Sequence, residues 1–574
     1  MPTSQSYSDF CRSLSCFALL LAAACLSALG QTGPSNLSVP SAATRAASSA
    51  DGSFRIAGTV VNAITGEPVR GATVAALAEA DSRTVTSAKT GDDGHFSLER
   101  LRAAKYQLTA SKRGFRTAFY DEHEEFSTAI VTGAGQQTES LIFRMTPGAV
   151  LRGVVTADGG DLVESAKVML FLKPSGHKAA DRITQADETT TDDLGAYEFS
   201  NLAAGEYLLA VKAEPWYAMH RSANRSKSIS IDGVAEVNTA LDVAYPITFF
   251  DSATDEASAA GIVLAGGGHD EADINLHAVP ALHLAVETPR KPDGSIARAE
   301  LRQNIFGIQV SAESAGVFLD AAQTGTAEYA GVAPGHYELV QGDPPRIADL
   351  DATASQQIDA GLGTLTVVVS GTVRNASGAA LPGRLMLSLD SLDGTHPLGG
   401  TRAEGNQGRF TFPSVPPGAW ELSAASCDAA GQCKPMPVVS ITAGGTTRAG
   451  GLVTVPDKPL AVHVNVSDGE TRVQGFARKG GKGVAGVMVV LAPKDLSALK
   501  SLARRDQSDS DGSFSLRDVA PGQYTVVAIQ DGWDLDWTQP EVIGRYLPRG
   551  IAVTVSDKSG KLVPLAGPVP VQSR

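Results

Sequence analysis

The chain has 574 residues, including 59 glycines and 30 prolines, and only 19% of its residues are charged. A chain of this length holds several domains, and frequent glycine and proline among Val, Thr, Leu and Tyr predict many short strands joined by turns. The net charge of −14 argues against nucleic-acid binding, which needs a basic face.

The N-terminal residues 1–30 are predicted to be a signal peptide. Arg12 precedes the run LSCFALLLAAACLSALG, residues 14–30, which is too short and too weakly flanked for a membrane-spanning helix. Cleavage near Gly30 fits the small-residue rule, and a lipid anchor at Cys25 is the alternative. Residues 31–52 follow as a flexible linker. We therefore expect an exported protein (periplasmic, outer-membrane-associated or extracellular) whose mature chain has no membrane span.

Five copies of one pattern follow, and each is counted from a glycine that we number zero. Position +2 is aromatic, +7 aliphatic, +10 glycine and +12 aromatic, except that Ala104 replaces the +10 glycine of the first copy and Ala327 the +2 aromatic of the third. The irregular spacing of 83–130 residues predicts whole domains rather than a solenoid. The zero and +12 residues are Gly94 and Tyr106, Gly195 and Tyr207, Gly325 and Tyr337, Gly408 and Trp420, and Gly512 and Tyr524.

Each position of the pattern has a physical interpretation. A zero glycine after Asp or Gln suits a tight turn with positive φ. The Pro-Gly or Ala-Gly pair before the +12 aromatic predicts a type II turn whose glycine also has positive φ. From +12 onward, every second residue is predicted to face a core, as in Tyr524, Val526 and Ala528.

Strand-like runs on both sides complete each unit. Four copies have an upstream glycine (Gly58, Gly153, Gly371 or Gly475) that lies 36 to 42 residues before the zero position, between two predicted strands. About seven strands per unit predict an all-β chain of five antiparallel, immunoglobulin-like β-sandwiches. The predicted sandwiches span residues 53–146, 147–278, 279–365 (a degenerate copy), 366–467 and 468–572.

The first unit, GTVVNAITGEPVRGATVAAL followed by TGDDGHFSLERL and YQLTASKRGF, resembles the carboxypeptidase regulatory-like domain family. Copies one, two, four and five carry the resemblance most strongly, and together the copies cover most of residues 53–560. The resemblance implies transthyretin-like sandwiches grouped with carbohydrate-binding-like folds. It also implies accessory domains of an exported, multi-copy bacterial protein of the cell envelope, with carbohydrate as the expected ligand.

Cys427 and Cys433 lie on either side of a glycine-containing turn. In an exported chain this spacing favours a hairpin disulfide, and zinc is the alternative, although two ligands do not complete a zinc site.

Acidic residues stand before several zero glycines. Asp509 and Asp511 precede Gly512, and similar pairs precede Gly94 and Gly195. A calcium site is the alternative interpretation, but it needs six or more oxygen ligands, whereas turn chemistry accounts for all five copies. We therefore predict turns and no metal site.

Short matches to catalytic motifs lack their required context. GKGVAG, residues 481–486, precedes a strand rather than a helix, and SALK, residues 497–500, has no partner motif. A zinc carboxypeptidase needs a His-x-x-Glu pair, which this sequence lacks, and the segment EHEEF around His123 reads as charged surface. We expect no enzymatic activity and no cofactor.

Tryptophans are the best candidates for contact with a ligand, because sugar faces stack on aromatic rings. The candidates are Trp533, Trp537 and Trp216. Trp533 and Trp216 share position +21, however, and a repeated aromatic at a strand end often seals a sandwich edge or packs on another domain.

The main functional hypothesis is a non-catalytic, exported, multi-domain binding protein with carbohydrate as the ligand implied by the resemblance. The alternative is a structural or adhesive cell-envelope scaffold whose sandwiches act as spacers and protein-docking modules. The expected partner is accordingly a polysaccharide or another envelope protein.

Overall fold

The computed structural model is an all-β array of five immunoglobulin-like sandwiches. It describes residues 52–79, 81–174, 183–220, 239–288, 299–311, 316–319, 325–381, 384–392, 401–405, 408–428, 431–556 and 562–574. The predicted signal peptide, most of the linker and Cys25 lie outside these residues. Five hydrophobic cores each draw on one stretch of chain: residues 56–145, 149–276, 282–358, 367–466 and 473–569.

The first sandwich packs two sheets against each other. One sheet has the order β4-β1-β8, and the other has the order β3-β2-β5, with β6 and β7 both paired to β5. The strands are β1 (Phe54–Asn62), β2 (Thr73–Ala78), β3 (Asp81–Lys89), β4 (His95–Leu101), β5 (Lys105–Ser111), β6 (Ala118–Phe119), β7 (Ile130–Val131) and β8 (Leu141–Met145).

The second sandwich repeats this plan with ten strands. They are β9 (Ala149–Ala157), β10 (Lys167–Leu172), β11 (Thr184–Thr190), β12 (Ala196–Leu202), β13 (Gly205–Lys212), β14 (Val243–Ala244), β15 (Thr248–Phe249), β16 (Ile262–Leu264), β17 (His269–Glu271) and β18 (Ile274–Leu276). β9 pairs with β12, β17 and β18, while β10 and β13 form the centre of the opposite sheet. Short 3-10 helices lie at Asp158–Gly160, Thr239–Leu241 and Glu256–Ser258.

The third sandwich contains the orders β23-β24-β20-β27 and β22-β21-β25-β26-β28, and its first strand β19 pairs back with β14 of the second sandwich. Its strands are β19 (Val279–Pro280), β20 (Leu282–Thr288), β21 (Glu300–Ile305), β22 (Ile308–Ser311), β23 (Gly316–Leu319), β24 (Gly325–Val332), β25 (Gly335–Gly342), β26 (Pro345–Ala352), β27 (Gln356–Ile358) and β28 (Thr364–Leu365).

The fourth sandwich has the orders β32-β29-β38-β35-β36 and β31-β30-β33-β34, with β37 also paired to β33. Its strands are β29 (Val367–Asn375), β30 (Leu385–Ser391), β31 (Thr401–Gly405), β32 (Arg409–Val415), β33 (Gly418–Cys427), β34 (Cys433–Pro435), β35 (Val438–Ala443), β36 (Thr446–Ala449), β37 (Leu452–Val455) and β38 (Leu460–Val466). A disulfide between Cys427 and Cys433 joins β33 to β34.

The fifth sandwich also contains the helices of the C-terminal region. Its strands are β39 (Arg472–Lys479), β40 (Lys482–Gly483), β41 (Met488–Pro493), β42 (Arg504–Gln507), β43 (Ser513–Leu516), β44 (Gly522–Gln530), β45 (Ile551–Val555), β46 (Leu562–Pro564) and β47 (Val569–Ser573). Its helices are α1 (Leu499–Leu502) and α2 (Pro540–Ile543), with 3-10 turns at Leu496–Ala498 and Leu547–Arg549. In the described part of the chain, no helix combines the length and the apolar character needed to span a bilayer.

The sandwiches are mainly antiparallel, but the first long strand of each one also pairs in parallel with a late strand. In three of them a glycine lies at this contact. A Cβ on Gly58 or Gly371 would fall 2.1–2.2 Å from a carbonyl oxygen of the late strand, and one on Gly153 would fall 2.2 Å from Ala272 O, between β17 and β18. The upstream glycines of the pattern therefore allow the first strand to reach its parallel neighbour.

The zero glycines adopt the predicted positive φ in four copies. Gly94, Gly195, Gly408 and Gly512 have φ values of 68° to 82°, and a Cβ on each would lie 2.5–2.8 Å from a carbonyl oxygen of the first strand. The turn therefore needs glycine both for its conformation and for its close approach. In the degenerate third copy, Gly325 simply begins β24.

The predicted type II turn at +10 is wrong for three copies. Gly205, Gly335 and Gly522 do not have positive φ, and Gly418 has a φ of 153°. The nearest ring atom of the aromatic residue at +12 lies 3.0 Å from a Cβ built on Gly522 and 3.7 Å from one built on Gly205 or Gly335. A Cβ on Gly522 would therefore crowd the +12 ring, whereas a Cβ on Gly205 or Gly335 would meet that ring at an ordinary contact distance.

The +12 aromatic is held by a hydrogen bond in every copy, which the sequence analysis missed. Its ring donor bonds the backbone carbonyl four residues earlier, from Tyr106 Oη to Arg102 O (3.2 Å), Tyr207 to Ala203 (3.0 Å), Tyr337 to Ala333 (2.7 Å), Trp420 Nε1 to Pro416 (3.0 Å) and Tyr524 to Ala520 (2.8 Å). The signal was present, since all five +12 residues are Tyr or Trp and none is Phe. A buried ring with a donor fixes the turn as well as the core.

Removing this donor should destabilise a sandwich less than removing the ring. We expect Tyr524→Phe to cost the fifth sandwich about 1–3 kcal/mol, because the Ala520 carbonyl loses its partner. Tyr524→Ala should cost about 3–5 kcal/mol, as for other buried aromatic rings. Urea unfolding of each variant, followed by protease resistance of residues 504–530, measures both losses. Tyr106→Phe, with its longer bond, should cost less, and an unchanged urea midpoint for Tyr524→Phe would contradict the role of this bond.

Candidate functional site: the interface between the first and last sandwiches

A loop of the first sandwich, residues 121–131, lies against the turn before Gly512 in the last sandwich. Ser510 N donates to Ala129 O (3.0 Å), and Val131 N donates to Ser510 Oγ (2.8 Å), across about 380 residues of sequence. The turn thereby extends the hydrogen bonding of β7, an edge strand of the first sandwich. Edge strands present unpaired backbone groups, so this contact satisfies groups that would otherwise face water.

Asp509 connects the two sandwiches through its carboxylate. Lys105 Nζ donates to Oδ2, and Ala129 N donates to Oδ1 (3.2 Å). The Asp509 and Lys105 side chains are 11% and 30% exposed. Burial raises the pKa of Asp509, although Lys105 opposes this shift. Burial alone would lower the pKa of Lys105, but the neighbouring Asp509 outweighs it and the net shift is upward. A carboxylate that binds an ammonium group in this way is a poor calcium ligand.

Gln507 fills the buried centre of the interface. Its Nε2 donates to Thr128 Oγ1 (2.8 Å) and to the carbonyl of Asp121, and its Oε1 lies 3.2 Å from His123 Nδ1. Gln507 and Thr128 are each only 1% exposed. A buried amide requires partners of this kind, and here they come from the other sandwich.

Arg505 lies within a cluster of aromatic rings from both sandwiches. Its guanidinium carbon is 4.6 Å from the centroid of Trp537, 5.2 Å from that of Phe126 and 5.9 Å from that of Trp533. Its Nη2 donates to Glu124 Oε2 (2.6 Å) of the first sandwich. The side chain is 10% exposed, so the cation is largely withdrawn from water and depends on these contacts.

The loop of residues 121–131 has an unusual backbone conformation. Asp121 and Glu124 have φ values of 52° and 55°, which residues other than glycine rarely adopt. Gly486 of the last sandwich lies beside the loop, and a Cβ there would fall 2.6 Å from Asp121 Oδ2. Strained residues of this kind persist where neighbouring structure holds them, and the last sandwich supplies that structure.

The structure places the three candidate tryptophans in different environments. Trp533 is only 8% exposed: its ring stacks on His123 (5.1 Å between centroids), and its Nε1 donates to Gly486 O (3.1 Å). Trp537 is half-buried against Arg505. Trp216, at the same offset as Trp533, is 86% exposed and lies edge-on to Tyr217. Trp533 therefore packs on another sandwich, which is the alternative that its repeated position +21 raised.

The segment EHEEF is not free charged surface, since His123, Glu124 and Phe126 all contact the last sandwich.

The sequence analysis missed buried hydroxyls four residues before the zero glycine. Thr90, Thr191 and Ser508 each accept a hydrogen bond from a backbone N–H and donate one to a backbone carbonyl. Their signal was a hydroxyl at the same position of three copies.

The acidic turns have the expected local role. Asp192 Oδ1 accepts from Leu194 N (2.9 Å) and Ala196 N (2.8 Å), and Asp511 Oδ1 accepts from Ser513 N (2.9 Å). Within the described ranges, no three His, Cys, Asp or Glu side chains are grouped as a metal site requires. Asp509 differs from its counterpart Asp192 because it also binds the first sandwich.

Replacing Asp509 should loosen the interface while its counterpart serves as a matched control. We expect Asp509→Ala to weaken docking by about 1–3 kcal/mol, because Lys105 and Ala129 N lose their acceptor. This corresponds to roughly a 5- to 150-fold rise in the open population. Hydrogen exchange of residues 121–131 measures it. Asp192→Ala removes the same turn position in the second sandwich and should leave that exchange unchanged; equal effects of both substitutions would contradict the interface role.

Asp506 should make the fifth sandwich less stable as pH rises through neutrality. Burial raises the pKa of Asp506 to about 7, and Asp509 adds to the effect, while bonds from Ser515 N and Gln507 N oppose it. An acid with a raised folded-state pKa binds more protons folded than unfolded, so its contribution is complete at low pH and is lost as pH rises through about 7.

Urea unfolding between pH 5 and 8 measures this loss. The protease resistance of residues 504–530 serves as the signal that gives the unfolding midpoint of the fifth sandwich. The midpoint should fall across this range in the native chain and change much less in Asp506→Asn, which stays neutral. Parallel pH profiles for the two proteins would show that Asp506 does not control the dependence.

Comparison with known proteins agrees with the sandwich architecture. Residues 55–146 match the family model of the carboxypeptidase regulatory-like domain. Residues 469–544 match the model described as BOS complex subunit NOMO1-like, second beta sandwich domain. Comparison with curated proteins gives no significant match.

Several solved structures align over long stretches at low similarity. The Bacillus anthracis TIE protein aligns with 11% identity, 72% of this chain, 74% of that chain and a TM-score of 0.16. The minor pilin GBS52 of Streptococcus agalactiae aligns with 13% identity, 42% of this chain, 99% of that chain and a TM-score of 0.20. TM-scores this low support no conclusion on architecture or function. Among these comparisons, the family match locates the similarity in one domain: the first sandwich, residues 55–146, is similar to carboxypeptidase regulatory-like domains.

Proposed function

We propose that the chain is a non-catalytic scaffold of the cell envelope whose sandwiches act as spacers and protein-docking modules. The observation that carries this proposal is the interface between the first and last sandwiches, where a loop of one sandwich and a turn of the other contact each other through hydrogen bonds, ion pairs and stacked rings. A sandwich surface that recognises another sandwich through paired charges and stacked rings is suited to binding proteins. The N-terminal segment, predicted as a signal peptide, would direct the chain to the envelope.

Contacts between neighbouring sandwiches support the role of a spacer. Phe306 of the third sandwich packs edge-on against Phe171 (5.1 Å) and Phe249 (5.3 Å) of the second. Between the fourth and fifth sandwiches, Ser501 Oγ donates to Glu421 Oε1 (2.7 Å). Such contacts restrict rotation between domains, which otherwise move freely when their interface is small. At these two junctions, the contacts keep a defined spacing between neighbouring sandwiches.

Carbohydrate binding is the second candidate, and Trp216 is the observation that favours it. Its ring is 86% exposed, and the adjacent Pro215 lines a cavity of about 30 Å³ between the second and third sandwiches. A cavity of this size holds about one water, so a sugar would lie on the ring face rather than enter a pocket. Trp533 cannot act in this way while it is stacked on His123.

One pair of measurements separates the two candidates. On a glycan array, we expect no glycan whose binding to the purified chain is lost in Trp216→Ala. In native cells, fractionation with chemical cross-linking should recover the chain in the envelope, joined to protein. Leu194→Ala removes another exposed apolar side chain of the same sandwich (61% exposed) and serves as the control for Trp216→Ala. A glycan bound by the native chain and by Leu194→Ala but lost in Trp216→Ala would replace the scaffold proposal with carbohydrate binding.

A further inference from the structure

The interface between the first and last sandwiches joins two unlike surfaces. The first sandwich contributes β5, β7 and the loop 121–131, and the last contributes β42, the turn before Gly512 and the segment around Trp533. The sheets of the first sandwich and those of the last sandwich have no strand in common. Two unlike surfaces on one chain can pair within that chain or between two copies, head to tail.

The charges across the interface specify which sandwich fits. The first sandwich gives a cation, Lys105, and an anion, Glu124; the last gives an anion, Asp509, and a cation, Arg505. These two ion pairs cross in opposite directions. Arg505 also pairs with Glu125 (3.4 Å), and Arg517 of the last sandwich pairs with Glu79 (3.6 Å) of the first. A first sandwich placed against another first sandwich would not reproduce this arrangement, because the stacked rings and the Gln507 contacts would also be lost. The partner of this surface is thus the last sandwich, of the same chain or of another.

The chain passes from the first to the second sandwich through residues 146–148, between the end of β8 and the start of β9, and a hinge would lie at this passage. Its described contacts cluster at the chain passage around Pro147: Arg116 N donates to Thr146 O (3.0 Å), Gly148 N donates to Gly114 O (3.2 Å), and Gly267 N donates to Pro147 O (2.9 Å). A few residues at such a passage can absorb a large rotation while both sandwiches stay folded.

From these three observations we infer that the first sandwich exchanges between copies and docks on the last sandwich of a second chain. The partner of this surface is a second copy of the protein, and reciprocal exchange gives a closed dimer with two identical interfaces. Within one chain the linkage keeps the effective concentration of the partner high, so closure dominates in dilute solution and exchange grows with concentration. This inference names a partner for the scaffold proposed above and rests on that proposal for its biological role.

A charge-reversal experiment on the full chain tests the inference. One preparation carries Asp509→Lys and the other carries Lys105→Asp. Each substitution places like charges across the interface, so each variant alone should be a monomer in which the first and last sandwiches are apart. When the two preparations are mixed, an intact Lys105 meets an intact Asp509, and the two reversed residues also meet. We expect a 1:1 dimer of about twice the 59.4 kDa chain mass in sedimentation and light scattering. The double variant carries both reversals in one chain and should close on itself as a monomer.

Each result decides the inference. A mixture that stays at single-chain mass while the double variant regains hydrogen-exchange protection at residues 121–131 would overturn exchange between copies. A double variant that stays open would also overturn it, because the pair would not hold the sandwiches together. If Asp509→Lys does not fold, Glu124→Arg and Arg505→Glu supply an independent reversal. These measurements use purified protein, so they can fail while the chain is still recovered in the envelope, or succeed when it is not.

Discussion

The close approach of the zero-glycine turn to the first strand is the constraint on which each sandwich depends. Gly94, Gly195, Gly408 and Gly512 place a turn 2.5–2.8 Å, measured from a built Cβ, from a carbonyl of that strand. A side chain there would push the two strands of one sheet apart. The same turn ends one strand and starts the next, so the register of the aromatic core residues follows from it. In the last copy, the turn also supplies Asp509 and Ser510 to the interface.

Much of the fold follows from local sequence, whereas the interface does not. Three signals act over about a dozen residues: the alternation of inward residues, the zero glycines and the +12 aromatics. Together they predict the strands, the turns and the core residues of the five copies. The pairing of Gln507 with Thr128 joins residues about 380 positions apart. No periodicity carries that information, because complementarity between two folded surfaces depends on how the sandwiches are oriented. Type II turns were predicted at +10 because glycine suggests positive φ, but Gly205, Gly335 and Gly522 do not have positive φ, and at Gly522 a Cβ would crowd the neighbouring ring.

Equivalent positions of the repeat have taken different roles. Trp533 and Trp216 share an offset, yet one is stacked between sandwiches and the other is 86% exposed. Asp509 and Asp192 both serve the turn, but only Asp509 has Lys105 as a partner. A position that is not needed for the core can change its contacts without loss of the fold. This freedom lets one domain type provide both the spacers and the docking surface of a single chain.

The polar composition of the interface affects the stability of the contact between the first and last sandwiches. Its centre holds an amide, two hydroxyls and two ion pairs, and the apolar contribution comes chiefly from Phe126, Trp533 and Trp537 around Arg505. Interfaces of this composition resemble those of transient protein complexes more than the core of one domain. The cores of the first and last sandwiches each draw on their own stretch of chain, so opening would expose the interface and the loop 121–131 but leave both cores in place. A first sandwich released from the last sandwich of its own chain would remain complementary to the last sandwich of another chain.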